Sequence, residues 1–224
     1  MKTAEREAAR ELRAEGWSVK EIECALGVSR ASVSTWVRDI ELQPAQRARL
    51  IERARLGPIV AGERKAARAR ATRLEYQTRG RRLLGAADAS YAAACALYWA
   101  EGAKRRNALK LTNSDPQMLA YFLGVLRRYF DVADERIRVA CNLFADHIAR
   151  QREIEDFWLR RLGLPRACLR KSTVNRYSKY SQKNRQNKLP YGTCALVVHS
   201  TEIVQTIYGS IQELGGFDRP EWLD

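Results

Sequence analysis

Histidine is nearly absent from this 224-residue sequence: His147 and His199 are its only two, and neither stands at a recognisable metal-ligand spacing. The five cysteines, Cys24, Cys95, Cys141, Cys168 and Cys194, form no CxxC pair, which excludes the common zinc and dithiol motifs. Scattered and odd in number, they read as reduced, mostly buried small apolar residues. No apolar run approaches the ~20 residues of a membrane-spanning helix, so no membrane partner is expected. The opening MKTAEREAARELRAEG alternates charge and has no apolar stretch of the secretory type, which predicts a cytoplasmic, nucleoid-associated protein. No internal repeat signals two copies of one fold.

Positive charge is what the chain has in excess. A formal net charge of +14 exceeds what solubility requires and calls for a polyanionic partner, nucleic acid before an anionic membrane surface. Hydrophobic residues make up 46% of the chain, enough for a packed core.

Along the chain the pattern changes twice. Residues 3–15 read as an amphipathic helix, with Ala8 and Leu12 on one face, stopped by Gly16. Ser18 caps a second helix that groups Val19, Ile22 and Leu26 and ends at Gly27; Ser29 caps a third, from Arg30 to about Ile40. Residues 44–85 form a basic connector rich in Ala, Arg and Leu, predicted as two helices joined at Gly57-Pro58. Its arginines fit a solvated helix face or a phosphate-contacting arm carrying Arg64, Lys65 and Arg68. From residue 86 onward, helical segments at 115–130, 148–163 and 201–214 alternate with strand-like runs at 108–112, 136–144 and 193–200. The expectation is an α+β protein with domains 1–43, 44–85 and 86–224.

The segment SVKEIECALGVSRASVSTWVRDI, residues 18–40, resembles a helix-turn-helix, with Ile22, Leu26, Val28, Val33 and Trp36 at core spacing around Gly27. It departs from the motif at Glu23, where a small residue is usual. The resemblance implies double-stranded DNA as partner, with Arg30, Ser32, Ser34, Thr35 and Arg38 facing it. An arginine there can bond a guanine edge and the hydroxyls can reach bases or phosphates. A helical bundle used for protein contacts is the alternative.

Residues 94–102, ACALYWAEG, resemble the signature helix of the LAGLIDADG homing endonucleases through Leu97, Ala100 and Gly102, with Glu101 in place of the final Asp. The elements that follow resemble that family's αββαββα core over residues 86–216, with the helix at 148–163 as an addition. The resemblance implies a homodimer in which two such helices meet through Ala92, Ala93, Ala96 and Ala100, and a curved sheet that straddles the major groove. It also makes Glu101 the candidate catalytic residue and Mg²⁺ ligand, if the protein cuts DNA. Some bacterial transcription regulators resemble the family without its activity, and they too carry a helix-turn-helix. Three functions therefore stand: a dimeric regulator of transcription or of a mobile element, a Mg²⁺-dependent site-specific endonuclease, and, more remotely, a recombinase. The last rests on His147, Arg150, Tyr177 and Tyr180, which loosely resemble the tyrosine recombinases. Further phosphate contacts are expected from Lys104, Lys171, Arg176, Lys179, Lys183, Arg185 and Lys188, the last five in a polar basic stretch.

Overall fold

The computed structural model describes residues 3–175 and 189–224, which divide into two compact units, 1–67 and 68–224, with the division falling inside one long helix. The protein is α+β: short N-terminal helices, a long helix, and a four-stranded mixed sheet with its own helices.

In the first unit, α1 (Thr3–Ala14), α2 (Val19–Leu26) and α3 (Arg30–Val37) close around Ala9, Ile22, Val28, Val33 and Val37. Leu12, Val19, Leu26, Trp36 and Ile40 flank this core half-buried. The third helix stops at Val37 instead of near Ile40. The turn between α2 and α3 is built as its residues dictate: Gly27 adopts φ +63°, a left-handed conformation that a Cβ would disfavour. Ser18 and Glu21 form a reciprocal capping box, and the Ser29 hydroxyl accepts the Ser32 N–H at 3.2 Å.

The expected break at Gly57-Pro58 does not occur. A single helix, α4 (Pro44–Ala86), runs through Pro58. Gly57 has no Cβ to collide with the pyrrolidine ring, which removes part of the clash that disfavours helical conformation before proline. The flanking Ala, Arg and Leu are strong helix formers.

The second unit contains the rest of α4, α5 (Ala89–Glu101), β1 (Leu109–Asn113), α6 (Pro116–Phe130), β2 (Ile137–Phe144), α7 (Gln151–Leu162), β3 (Thr173–Asn175), β4 (Thr193–Val198) and α8 (Thr201–Gly215). The strand order is β1-β4-β2-β3, with β4 antiparallel to both neighbours and β3 parallel to β2. The two strands that the αββαββα resemblance implies after α5 reduce to β1 and one bridge from Gly102 to Leu111, while the short edge strand β3 was not expected. Period-two alternation buries Leu109, Leu111, Ile137, Val139, Cys141, Leu143, Cys194, Leu196 and Val198 under the helices. Lys110, Thr112, Arg138, Asn142, Thr193 and Val197 are half-buried on the other face.

Helix α8 is buried without interruption from Ile203 to Gln212. It can be, because α4 approaches it through two glycines: a Cβ on Gly80 would fall 1.9 Å from the Thr206 carbonyl oxygen, and one on Gly209 1.9 Å from that of Gln77. Polar groups in this contact satisfy one another. Gln77 donates to Gln205 at 2.7 Å and accepts from Gln212 at 2.9 Å, and Ser210 donates to the Gly80 carbonyl at 2.8 Å.

Candidate nucleic-acid interface

The helix α3 is held by its back. Val33 and Val37 are buried, and Arg10 of α1 bonds both the Trp36 carbonyl and the two Asp39 oxygens, each at 2.7 Å. That bidentate bond is the main reason the Asp39 carboxyl is pulled down to a pKa of about 2. The opposite face is open: Arg30, Ala31, Ser34, Thr35 and Arg38 are exposed, and Ser32 is half-buried. Among the described residues, Arg30 and Arg38 have no ion-pair partner. The hydroxyls differ. That of Ser32 lies 2.9 Å from Ser29 Oγ and that of Thr35 donates to the Ala31 carbonyl at 3.0 Å, whereas Ser34 is exposed on the same face. Ser32 is therefore partly spent on the cap, and Thr35 keeps its lone pairs as acceptors. Beside the end of α3, Arg13, Arg38 and Arg47 line a cleft of about 470 Å³. Arg13 and Arg47 were not singled out in the sequence, where nothing distinguishes them from other surface arginines.

On α4, residues 51–72 are all exposed. Several arginines of α4 are neutralised: Arg53 by Glu21 at 2.6 Å, Arg55 by Glu52 at 2.8 Å, and Arg70 by Asp224 at 2.9 Å. Arg64, Lys65 and Arg68 form no such pair among the described residues, a property they share with Arg47, Arg49 and Arg82 of the same helix.

In the second unit Lys104 is differently employed. Its ammonium donates to the carbonyls of Tyr98 at 3.1 Å, Trp99 at 2.7 Å and Gly102 at 2.7 Å, closing the C-terminal end of α5. Burial lowers its pKa, helped by the nearby Arg219 and opposed by Glu101. A lysine with all three N–H groups aimed at carbonyls has little left for a phosphate. Lys171 is exposed ahead of β3. Arg176, Lys179, Lys183, Arg185 and Lys188, with Tyr177 and Tyr180, lie outside the described residues. Lys110 and Arg138, on the open face of the sheet, are cations that the sequence reading did not select.

Glu101 is exposed as the last residue of α5. Among the described residues, no three His, Cys, Asp or Glu side chains gather as a metal site. One carboxylate beside an ammonium does not fit Mg²⁺, which favours several oxygen ligands. Of the alanines expected at a helix–helix contact, Ala93, Ala96 and Ala100 are exposed and form a stripe along α5 with Ala89, whereas Ala92 is half-buried. His147 is buried and its Nδ1 accepts from the Phe144 N–H at 3.3 Å, while Arg150 forks onto Glu153 at 2.9 and 2.6 Å. Both are occupied by local structure.

Residues 4–53 match the model of the family described as putative ATPase subunit of terminase (gpP-like). The match spans α1, α2, α3 and the start of α4. None of the curated proteins and none of the solved structures matches the chain. No helix among the described residues is long and apolar enough to cross a membrane.

Proposed function

We propose that this protein binds double-stranded DNA in a sequence-specific manner, as a homodimer that regulates transcription or a mobile element. The observation that carries this reading is α3: a helix clamped from behind, with Arg30, Ser34, Thr35 and Arg38 open to a groove. Arg64, Lys65 and Arg68 on α4 supply phosphate contacts that set affinity more than specificity. For the second unit the LAGLIDADG-like reading rests on the sequence resemblance alone, and the observed order α5, β1, α6, β2, α7, β3, β4, α8 departs from the αββαββα that it implied. On that reading the Ala89, Ala93, Ala96 and Ala100 stripe meets its copy at a twofold axis, and Lys110, Arg138 and Asn142 face the duplex.

The test is selection of a duplex from a random library, followed by titration at several salt concentrations. Affinity is expected to fall steeply with salt, and Arg30→Ala to lose about 1–3 kcal/mol of discrimination at one base pair. Binding by the unaltered protein that ignores sequence overturns the proposal.

Two other readings have a specific observation behind them. The match over residues 4–53 favours a role beside a DNA-packaging terminase; a selected site confined to one end of a packaged genome would establish it. The sequence has no G-x-x-x-x-G-K-[ST] run, so ATP hydrolysis is not proposed. Glu101 at the exposed end of α5 does not hold Mg²⁺ by itself, so the endonuclease reading requires a second acid from the partner copy. Intact DNA after incubation of the bound site with Mg²⁺ or Mn²⁺ retires that reading.

A further inference from the structure

Cys141 and Cys194 stand directly opposite each other in the antiparallel pairing of β2 with β4. Both side chains are buried on the helix-covered face. Opposed residues in such a ladder have Cα atoms about 4.5 or 5.5 Å apart, and either value lies within the ~4.4–6.8 Å that a disulfide spans. The backbone is already in place for a bond between them.

The two thiols also differ in chemistry. Cys194 donates its S–H to the Cys141 sulfur, and that hydrogen bond, ahead of the opposing effect of burial, lowers the Cys141 pKa. The same bond, with burial, raises that of Cys194. Ser172 is a neighbour of Cys141, and its hydroxyl donates to Glu155 at 2.7 Å. Glu155 in turn accepts from Arg166 at 2.8 Å, whose side chain is 43% exposed. A hydrogen-bonded file thus leads from the surface to Ser172, beside Cys141. The other cysteines lack such a neighbour: Cys24 is exposed, Cys95 lies by Tyr91 and Ser210, and Cys168 donates to the Asp134 carbonyl at 3.2 Å.

We infer that Cys141 and Cys194 are an oxidation site at which a small peroxide converts the pair into an intramolecular cross-strand disulfide. The Cys141 thiol loses its proton along the Ser172 file, and its thiolate attacks one peroxide oxygen. The O–O bond breaks, Cys141 becomes a sulfenic acid, and the departing hydroxide takes up that proton as water. Cys194 then attacks the Cys141 sulfur; the S–S bond forms as the hydroxyl leaves with the Cys194 proton as a second water. Two thiols are oxidised, one peroxide is reduced to two waters. The next register position is Asn142 opposite Thr193, joined by a 3.1 Å hydrogen bond on the open face of the sheet. The bond is therefore formed one residue from the surface proposed above to face DNA, and its effect on binding rests on that reading.

The experiment uses the full chain carrying Cys24→Ser, reduced and then treated with hydrogen peroxide while folded. The expected product has two thiols fewer, a mass lower by two hydrogens, and a peptide linking Cys141 to Cys194 that dithiothreitol separates. Both thiols surviving a peroxide dose that oxidises the unfolded chain, or separate sulfinic acids without a link, overturns the inference. In Cys194→Ala, dimedone should label Cys141; no label there, with label on Cys194 in the reciprocal Cys141→Ala variant, overturns the assigned order of attack. These readouts need no DNA. Binding of the selected duplex is then compared before and after oxidation, with weaker binding expected; equal binding removes the effect on DNA and leaves the thiol result standing.

Discussion

The two halves of α4 belong to one helix and are stabilised by different physics. From Arg73 onward, three of its residues, Arg73, Gln77 and Gly80, are buried, and glycine contacts and paired amides join this half to α8. Across residues 51–72 every side chain is exposed, and Gly57 and Gly62 have no heavy atom within 4 Å of where a Cβ would stand. The C-terminal half is a helix because of what it touches. The N-terminal half is a helix because alanine, arginine and leucine favour one, against the opposing preference of Pro58 and two glycines. Glycine therefore has opposite meanings eighteen residues apart: a requirement at Gly80, a weakness at Gly62.

The strongest way to break this contrast is Gly209→Leu. Its side chain would meet the Gln77 carbonyl, and the second unit should lose about 3 kcal/mol or more in urea denaturation. Next comes Pro58→Ala, which restores a helical N–H in the exposed half; the gain is up to about 3 kcal/mol of local helix stability, read as slower amide exchange around residues 54–62. Gln77→Leu leaves the buried Gln205 side-chain oxygen without its donor and takes one of two acceptors from the Gln212 amide, and should cost about 1–3 kcal/mol, whereas Gln43→Leu, at an exposed position, should cost much less. Gly62→Ala should stabilise by about 1 kcal/mol, with Gly80→Ala destabilising under the same assay. If both glycines respond with the same sign, the distinction between the halves is lost.

Acid offers a weaker probe of the two units together. Asp39 in the first and Asp88, the N-cap of α5, in the second are both drawn down to about 2, the one chiefly by Arg10 and the other chiefly by the Ser90 hydroxyl. Their folded pKa values lie below the unfolded ones near 3.8, so their stabilisation is present above about pH 4 and is lost as pH falls toward 2. Asp39→Asn should flatten that dependence for the α1–α3 unit alone, as followed by Trp17 and Trp36 fluorescence.

Much of this was legible in sequence because it depends on local chemistry. Ser18, Gly27 and Ser29 announce their caps and turn, and alternation marks β1, β2 and β4. What was hidden depends on partners distant in sequence. Val37, and not Trp36, takes the buried place because α3 is met by α1 as well as by α2. The continuity of α4 turns on which residue precedes Pro58, and Pro alone reads as a break. Lys104 looks like any phosphate-binding lysine until the three carbonyls at the end of α5 are seen around it. The pairing of Cys141 with Cys194 requires a register that the 52 intervening residues do not encode locally.

The position of β4 between β1 and β2 also has a consequence for the order of events during synthesis. The α1–α3 core is complete once residue 37 has emerged and can form while translation continues. The sheet cannot. Its central strand and the helix α8 that covers it are made after both neighbouring strands, so β1 and β2 wait on the ribosome with unpaired edges until residues 193–215 arrive. A pause in elongation before residue 193 would therefore expose the second unit, and spare the first.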